Sequence, residues 1–198
     1  MGRYFGTDGF RGKANETLMV EHAFKVGRYI GNYFSADKQA NILIGRDTRL
    51  SGSMFESALA SGVVASGADV ELLKVCPTPA IAHLVRNGHY DCGVMISASH
   101  NPYHDNGIKI FNNDGLKLDA KIEALIEDYI DGLCEVPYAS NRNIGTITEV
   151  SVNIDEYLDY LAGLFKFDLS GYKIACDLAN GSATATAVKL LNRFNANL

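Results

Sequence analysis

From about residue 19 onward, apolar positions recur alternately at the helical period and at the strand period. Val20, Ala23, Phe24, Val26, Gly27 and Ile30 form one stripe of a helix over 18–34. Asn41-Ile-Leu-Ile-Gly then reads as a short strand, apolar on both faces, the pattern of a strand with helices on either side. The next helix opens at Ser53 with Glu56 three residues on, a capping box. Strands are predicted over 70–75, 92–96 and 107–111, with a short helix over 80–86 after Cys-Pro-Thr-Pro. A helix over 120–130 puts Ile122, Leu125, Ile126 and Tyr129 on one side and Glu123, Glu127 and Asp128 on the wet side, and Gly132 ends it. Alternation of this kind is the signature of parallel α/β architecture.

Residues 135–145 are rich in turn formers and suit a loop or the approach to a domain boundary. A helix over 154–165, a strand over 173–177 and a helix over 183–194 follow. One strand and one helix cannot bury both faces of a new sheet. Residues 1–150 therefore read as one domain, and residues 151–198 as a linker helix and the incomplete start of a second α/β domain. The expectation is that this unit docks on the first domain or that the natural chain continues past Leu198.

Composition narrows the function classes. At 47% apolar and 21% charged residues, the 198-residue chain is neither disordered nor fibrous. A formal net charge of −5 gives no overall pull toward nucleic acid or anionic lipid, so neither is expected as a partner. Cys76, Cys92, Cys134 and Cys176 form no C-x-x-C pair and read as reduced thiols of a cytoplasmic protein. The N-terminus lacks a basic-then-apolar signal region, and no apolar run is long enough to span a bilayer.

Chemistry concentrates after the strand over 92–96, where an apolar run empties into Ser97-Ala98-Ser99-His100-Asn101-Pro102. Loops beyond the carboxyl ends of parallel strands form the ligand crevice of open α/β sheets. A serine hydrolase would want Gly-x-Ser-x-Gly at a strand-to-helix turn, which Ser99 lacks. A zinc site using His100 and His104 is opposed by the intervening Pro102. Phosphoryl transfer through a serine fits better, because it depends on positioning and cationic groups. Lys109 can supply charge or proton transfer, and Arg3 and Arg11 flank the glycine-rich run from Gly6 to Gly12, whose amides can approach an anion.

Five segments together carry a resemblance: Tyr-Phe-Gly-Thr-Asp-Gly-Phe-Arg-Gly at 4–12, Gly-Arg-Asp-Thr-Arg-Leu-Ser-Gly at 45–52, Ser-Ala-Ser-His-Asn-Pro at 97–102, Asp-Asn-Gly-Ile-Lys at 105–109 and Asp-Leu-Ala-Asn-Gly at 177–181. In this order they resemble the α-D-phosphohexomutase superfamily. The resemblance implies a mixed, mostly parallel sheet sandwiched by helices, followed by the start of a second similar domain. It implies that Ser99 carries a transferable phosphate, that Lys109 is the general base and that Arg11 faces the phosphoserine, with His100 completing the catalytic loop. Asn101, Thr7 and Gly9 are implied to bind substrate, a sugar phosphate.

The same resemblance implies Mg2+, with an oxygen of phosphorylated Ser99 as the one ligand here, and the missing C-terminal domains of the same chain as partners. A homodimer is compatible with it. The sequence departs from the superfamily at Phe10, where isoleucine is more usual, and ends before the Asp-Gly-Asp-Gly-Asp metal loop. By itself this chain is expected to be an inactive N-terminal portion. The Ser-Ala-Ser loop and the Phe-Gly-Thr-Asp-Gly opening tilt the sugar toward glucosamine 6-phosphate. Glucose or mannose phosphates, or a noncatalytic sugar-phosphate-binding module, stay open as alternatives. Arg46, Asp47 and Arg49 read as an ion-pair network that supports the site without touching substrate.

Overall fold

In the computed structural model, which describes residues 2–166 and 168–198, the apolar runs become the middle of a sheet. These are β3 (Asn41–Arg46), β4 (Asp69–Val75) and β5 (Cys92–Ile96), with β3 parallel to both others. Three short strands miss the alternating pattern: β1 (Phe5–Gly6), β2 (Gly9–Lys13) and β7 (Ile147–Glu149). With β6 (Asp105–Asn112), the described residues form a seven-stranded sheet in the order β1-β2-β6-β5-β3-β4-β7. β2, β3, β4, β5 and β7 point one way, and β1 and β6 the other. The sheet is thus mixed, with three parallel pairs and three antiparallel pairs among the described strands.

Successive side chains of β3 leave opposite faces. Ile42 and Ile44 enter one core with Val94, Ile96 and Ile108, against α1 (Val20–Phe34), α2 (Gly52–Val64) and α4 (Ala120–Ile130). Leu43 enters a second core with Leu73 and Met95, against α3 (Thr78–Asn87) and α5 (Ile154–Gly163). Fully burying each such side chain is worth about 1.5–3 kcal/mol. That two-sided burial explains why the strand reads as a continuous apolar run.

Four expectations need correction. Ser53 does not open α2: the helix starts at Gly52, and Glu56 is buried, facing Arg46 at 3.5 Å and Lys74 at 3.3 Å. Residues 173–177 form no strand; Lys173 bridges only Asn197, and a ladder needs more than one partner residue. The helix over 183–194 is a 3₁₀ turn, Ser182–Ala185, followed by α6 (Ala187–Asn192). The wet side of α4 is also different, because Glu123 and Glu127 are buried while Leu125 is exposed.

Glu127 explains that last reversal. The first residues run past α4, and the backbone N–H groups of Arg3, Tyr4 and Phe5 donate to its carboxylate at 2.9, 2.8 and 2.8 Å. Burial pushes this carboxyl up, but the three amides and Arg3 outweigh it and hold it below the usual range. A helix carboxylate therefore fixes the chain that leads into β1 and β2.

Glu127→Ala leaves three amides without their charged acceptor and is expected to cost about 2–4 kcal/mol. Urea denaturation at neutral pH checks this, and a loss below about 0.5 kcal/mol would contradict it. Because the folded pKa is depressed, the stabilisation is complete above about pH 4.3, the unfolded value. It is lost as the pH falls through the lower folded value.

Candidate functional site

β5 and β6 are antiparallel neighbours, with Ile96 opposite Ile108 and Met95 opposite Lys109, so the chain between them must turn at the end of the sheet. That turn is Ser97–His104. Ser97 and Ala98 remain buried, while Ser99 and His100 stand exposed. Ser99 has a left-handed backbone, φ +59°. Its N–H donates to Ser97 Oγ at 3.0 Å, and its own Oγ is 3.5 Å from His100 Nδ1.

The loop rests on the turn after β3. Ser97 Oγ donates to Asp47 Oδ2 at 2.7 Å, and Arg49 Nε donates to the same oxygen at 2.9 Å. Arg49 also donates to the carbonyl oxygens of Ser99 (3.0 Å), Asn101 (2.9 Å), Pro102 (2.6 Å) and Asp105 (2.9 Å). Arg46 faces Glu56 at 3.5 Å and donates to the Asp47 carbonyl oxygen at 3.3 Å. Asp47 and Arg49 thus hold the loop from below while bordering the same open space as Ser99. Ser97 shares this arrangement, and its only sequence signal is its place two residues before Ser99.

The next strand brings the cations. β2 pairs with β6 through Arg11 opposite Gly107. Arg11 Nη1 donates to Asn101 Oδ1 at 3.0 Å and Nη2 lies 3.2 Å from Asp8. Asn101 Nδ2 in turn donates to Asp105 Oδ2 at 2.9 Å. The stems of Arg11 and Lys109 each lie across a glycine of the neighbouring strand. A Cβ at Gly107 would meet Arg11 Cγ at 3.1 Å, and one at Gly9 would meet Lys109 Cγ at 3.1 Å and Ile108 O at 2.4 Å. Gly9 also has φ +88°, so it serves both a turn and a close approach.

Two adjoining cavities result. One, of about 850 Å3, is bordered by Ser99, His100, Asn101, Thr48 and Asn180, and there Thr48 Oγ1 donates to Asn180 O at 2.6 Å. The other, of about 210 Å3, is bordered by Thr7, Asp8, Gly9, Lys109 and Lys117. Thr78 lines both. Arg11 links them through Asp8 and Asn101. All seven residues expected from the sequence to act therefore converge on this end of the sheet.

Burial, and then the neighbouring Arg11 charge, hold the Lys109 amine below its usual value, against the opposing pull of Asp8 and Asp47. A lysine lowered this way is a better proton acceptor near neutral pH. A hydrolytic triad is not assembled, because among the described residues no carboxylate hydrogen-bonds His100. No group of three His, Cys, Asp or Glu side chains among the described residues could hold a metal. The arrangement can present a rigid hydroxyl to an anionic group beside cations.

Comparison with known proteins gives the family. Residues 2–135 match the family described as phosphoglucomutase/phosphomannomutase, alpha/beta/alpha domain I. A phosphoglucosamine mutase of Lachnoclostridium phytofermentans is 52% identical over 197 residues, 99% of this chain and 44% of that protein. One from Lachnospira eligens is 47% identical over 200 residues, again covering 99% and 44%. A solved phosphoglucomutase/phosphomannomutase family protein from Burkholderia thailandensis superimposes with a TM-score of 0.80 at 26% identity, over 98% of this chain and 43% of that one. The chain spans less than half the length of these relatives.

Two expectations follow from the geometry. Gly9→Ala should lower stability by about 1–3 kcal/mol, because the added methyl meets backbone that cannot give; an unchanged urea midpoint would contradict the close packing. In competitive acylation across pH, Lys109 should reach half its maximal reactivity at lower pH than Lys38, which is largely exposed. Identical profiles would contradict the lowered amine.

Proposed function

The chain belongs to the phosphoglucomutase/phosphomannomutase family, and on that premise we propose that it is the phosphoserine-bearing part of a phosphoglucosamine mutase, which interconverts glucosamine 6-phosphate and glucosamine 1-phosphate. The observation that carries this reading is Ser99: an exposed hydroxyl on a backbone fixed from both sides, on the loop that Arg11 contacts through Asn101. The names of the relatives favour glucosamine over glucose or mannose.

In the proposed reaction the O1 hydroxyl of the sugar 6-phosphate attacks the phosphorus on Ser99. The O1–P bond forms, the Oγ–P bond breaks, and Lys109 takes the O1 proton. The bound 1,6-bisphosphate turns over, Ser99 Oγ attacks the 6-phosphorus, the Oγ–P bond forms as the O6–P bond breaks, and Lys109 returns its proton to O6, leaving the sugar 1-phosphate. Arg11 faces the phosphate, which brings about −1.5 to −2 charge to the loop that His100 completes. Asn101, Thr7 and Gly9 bind substrate along the two cavities.

Magnesium would neutralise charge on the transferring phosphoryl oxygens. This chain offers it one ligand, an oxygen of phosphorylated Ser99, since Asp47 already accepts from Ser97 and Arg49. We place the first domain at residues 1–150, where β7 closes the sheet at Glu149, and the linker helix and start of the second domain at residues 151–198. The activity belongs to the full-length protein, and we assign it to the cytoplasm.

The test is peptide mapping of the native full-length protein after incubation with glucosamine 1,6-bisphosphate. Phosphate is expected on Ser99. Ser99→Ala should remove it and lower turnover on the order of 10³-fold or more, as for loss of a covalent nucleophile. A bare Ser99, with ligand affinity unchanged in Ser99→Ala, would instead favour a sugar-phosphate-binding module.

A further inference from the structure

The backbone of Ser99 raises a question that its exposure does not answer. A left-handed conformation is unfavourable for every residue with a side chain, and serine has no carboxamide to ease it. Such strain persists only where the surroundings determine it.

Here both peptide groups of Ser99 are fixed, and both fixings lead to one carboxylate. The N–H donates to Ser97 Oγ, which donates to Asp47 Oδ2. The C=O accepts from Arg49 Nη2, and Arg49 Nε donates to the same Asp47 oxygen. Asp47 Oδ1 accepts the Arg49 backbone N–H at 3.0 Å. A guanidinium has five N–H donors, and those of Arg49 have five acceptors: Asp47 and the carbonyls of Ser99, Asn101, Pro102 and Asp105. None is left for a phosphate. The side chains of Arg49 and Asp47 are only 9% and 10% exposed, so the ion pair between them is largely shielded from water.

We propose that Asp47 and Arg49 are positioning residues that hold Ser99 in its left-handed conformation, so that its oxygen points the same way with and without phosphate. Lysine cannot replace this arginine, because three donors on one nitrogen cannot reach carbonyls on four residues together with the carboxylate. The conformational claim stands on the loop geometry alone. Its catalytic consequence rests on the phosphoserine reading above.

Two measurements separate these claims. The first compares urea midpoints of Ser99→Gly and Ser99→Ala in the full-length protein, with Arg49 present and in an Arg49→Lys background. With Arg49 the glycine variant should have the higher midpoint, since only glycine is free of the left-handed cost. In the Arg49→Lys background the gap should shrink by at least about half, as coupled residues require. A gap that is absent with Arg49, or unchanged without it, overturns the proposal. If Arg49→Lys does not fold, Ser97→Ala, which frees the other side of the same residue, takes its place with the same two outcomes.

The second measures turnover of the full-length protein. Arg49→Lys should lower kcat on the order of 10²-fold, the scale of a displaced reacting group. KM for the sugar phosphate should stay within about two-fold, and the pH profile should keep its shape. A raised KM with unchanged kcat, or a shifted profile, would make Arg49 a substrate or proton-transfer group and overturn the proposal. If the midpoint gap behaves as expected but Ser99 never carries phosphate, the phosphoserine reading has failed and the conformational claim has not.

Discussion

The site depends on a buried carboxylate. Placing Asp47 out of water costs several kcal/mol unless charge and hydrogen bonds offset it. Arg49 supplies the charge and two of the hydrogen bonds, and Ser97 supplies a third. The offset has a structural product, because the same arginine and serine go on to fix the turn between β5 and β6. The two turns adjoin because β3 and β5 are parallel neighbours, and the Asp47 N–H donates to Ile96 O at 3.0 Å just where both strands end. Sheet order therefore brings the carboxylate to the loop it holds.

The antiparallel insertion of β6 then completes the chemistry. A parallel crossover at this point would carry the chain away over one face of the sheet. Turning directly back places Lys109 on the strand that Arg11 pairs with across β2. The stems of Arg11 and Lys109 lie over Gly107 and Gly9, and the Arg11 guanidinium reaches the loop at Asn101. Under the proposed function, Arg11 is the cation that backbone pairing directs toward a phosphate on that loop. Arg49, though the nearest arginine to the loop by its bonds, is excluded from that role because its donors are all engaged.

Much of this was legible in the residues, and the failures share physical causes. β5 and α4 fall on the predicted bounds because each carries a strong apolar period. β7 carries none: all three of its residues are exposed, and only its ladder with β4 makes it a strand. Helix carboxylates are usually solvated, and Glu123 and Glu127 are exceptions. Their burial depends on Lys117 and on the incoming N-terminal backbone, partners distant in sequence. The expected site residues fall together at one end of the sheet, and Arg49 supports the loop there, as its place in the motif implies. That it reaches the Ser99 carbonyl could not be read, since no periodicity encodes which carbonyls a guanidinium faces.

The most direct test is a crystal structure of the full-length protein phosphorylated on its serine. The phosphate should sit on Ser99 Oγ within hydrogen-bond distance of Arg11, His100 or Lys109, with residue 99 still left-handed and Arg49 still bonded to the same four carbonyls. A phosphate held by Arg49 after release of the loop, or a native protein whose Ser99 carries none, would contradict it.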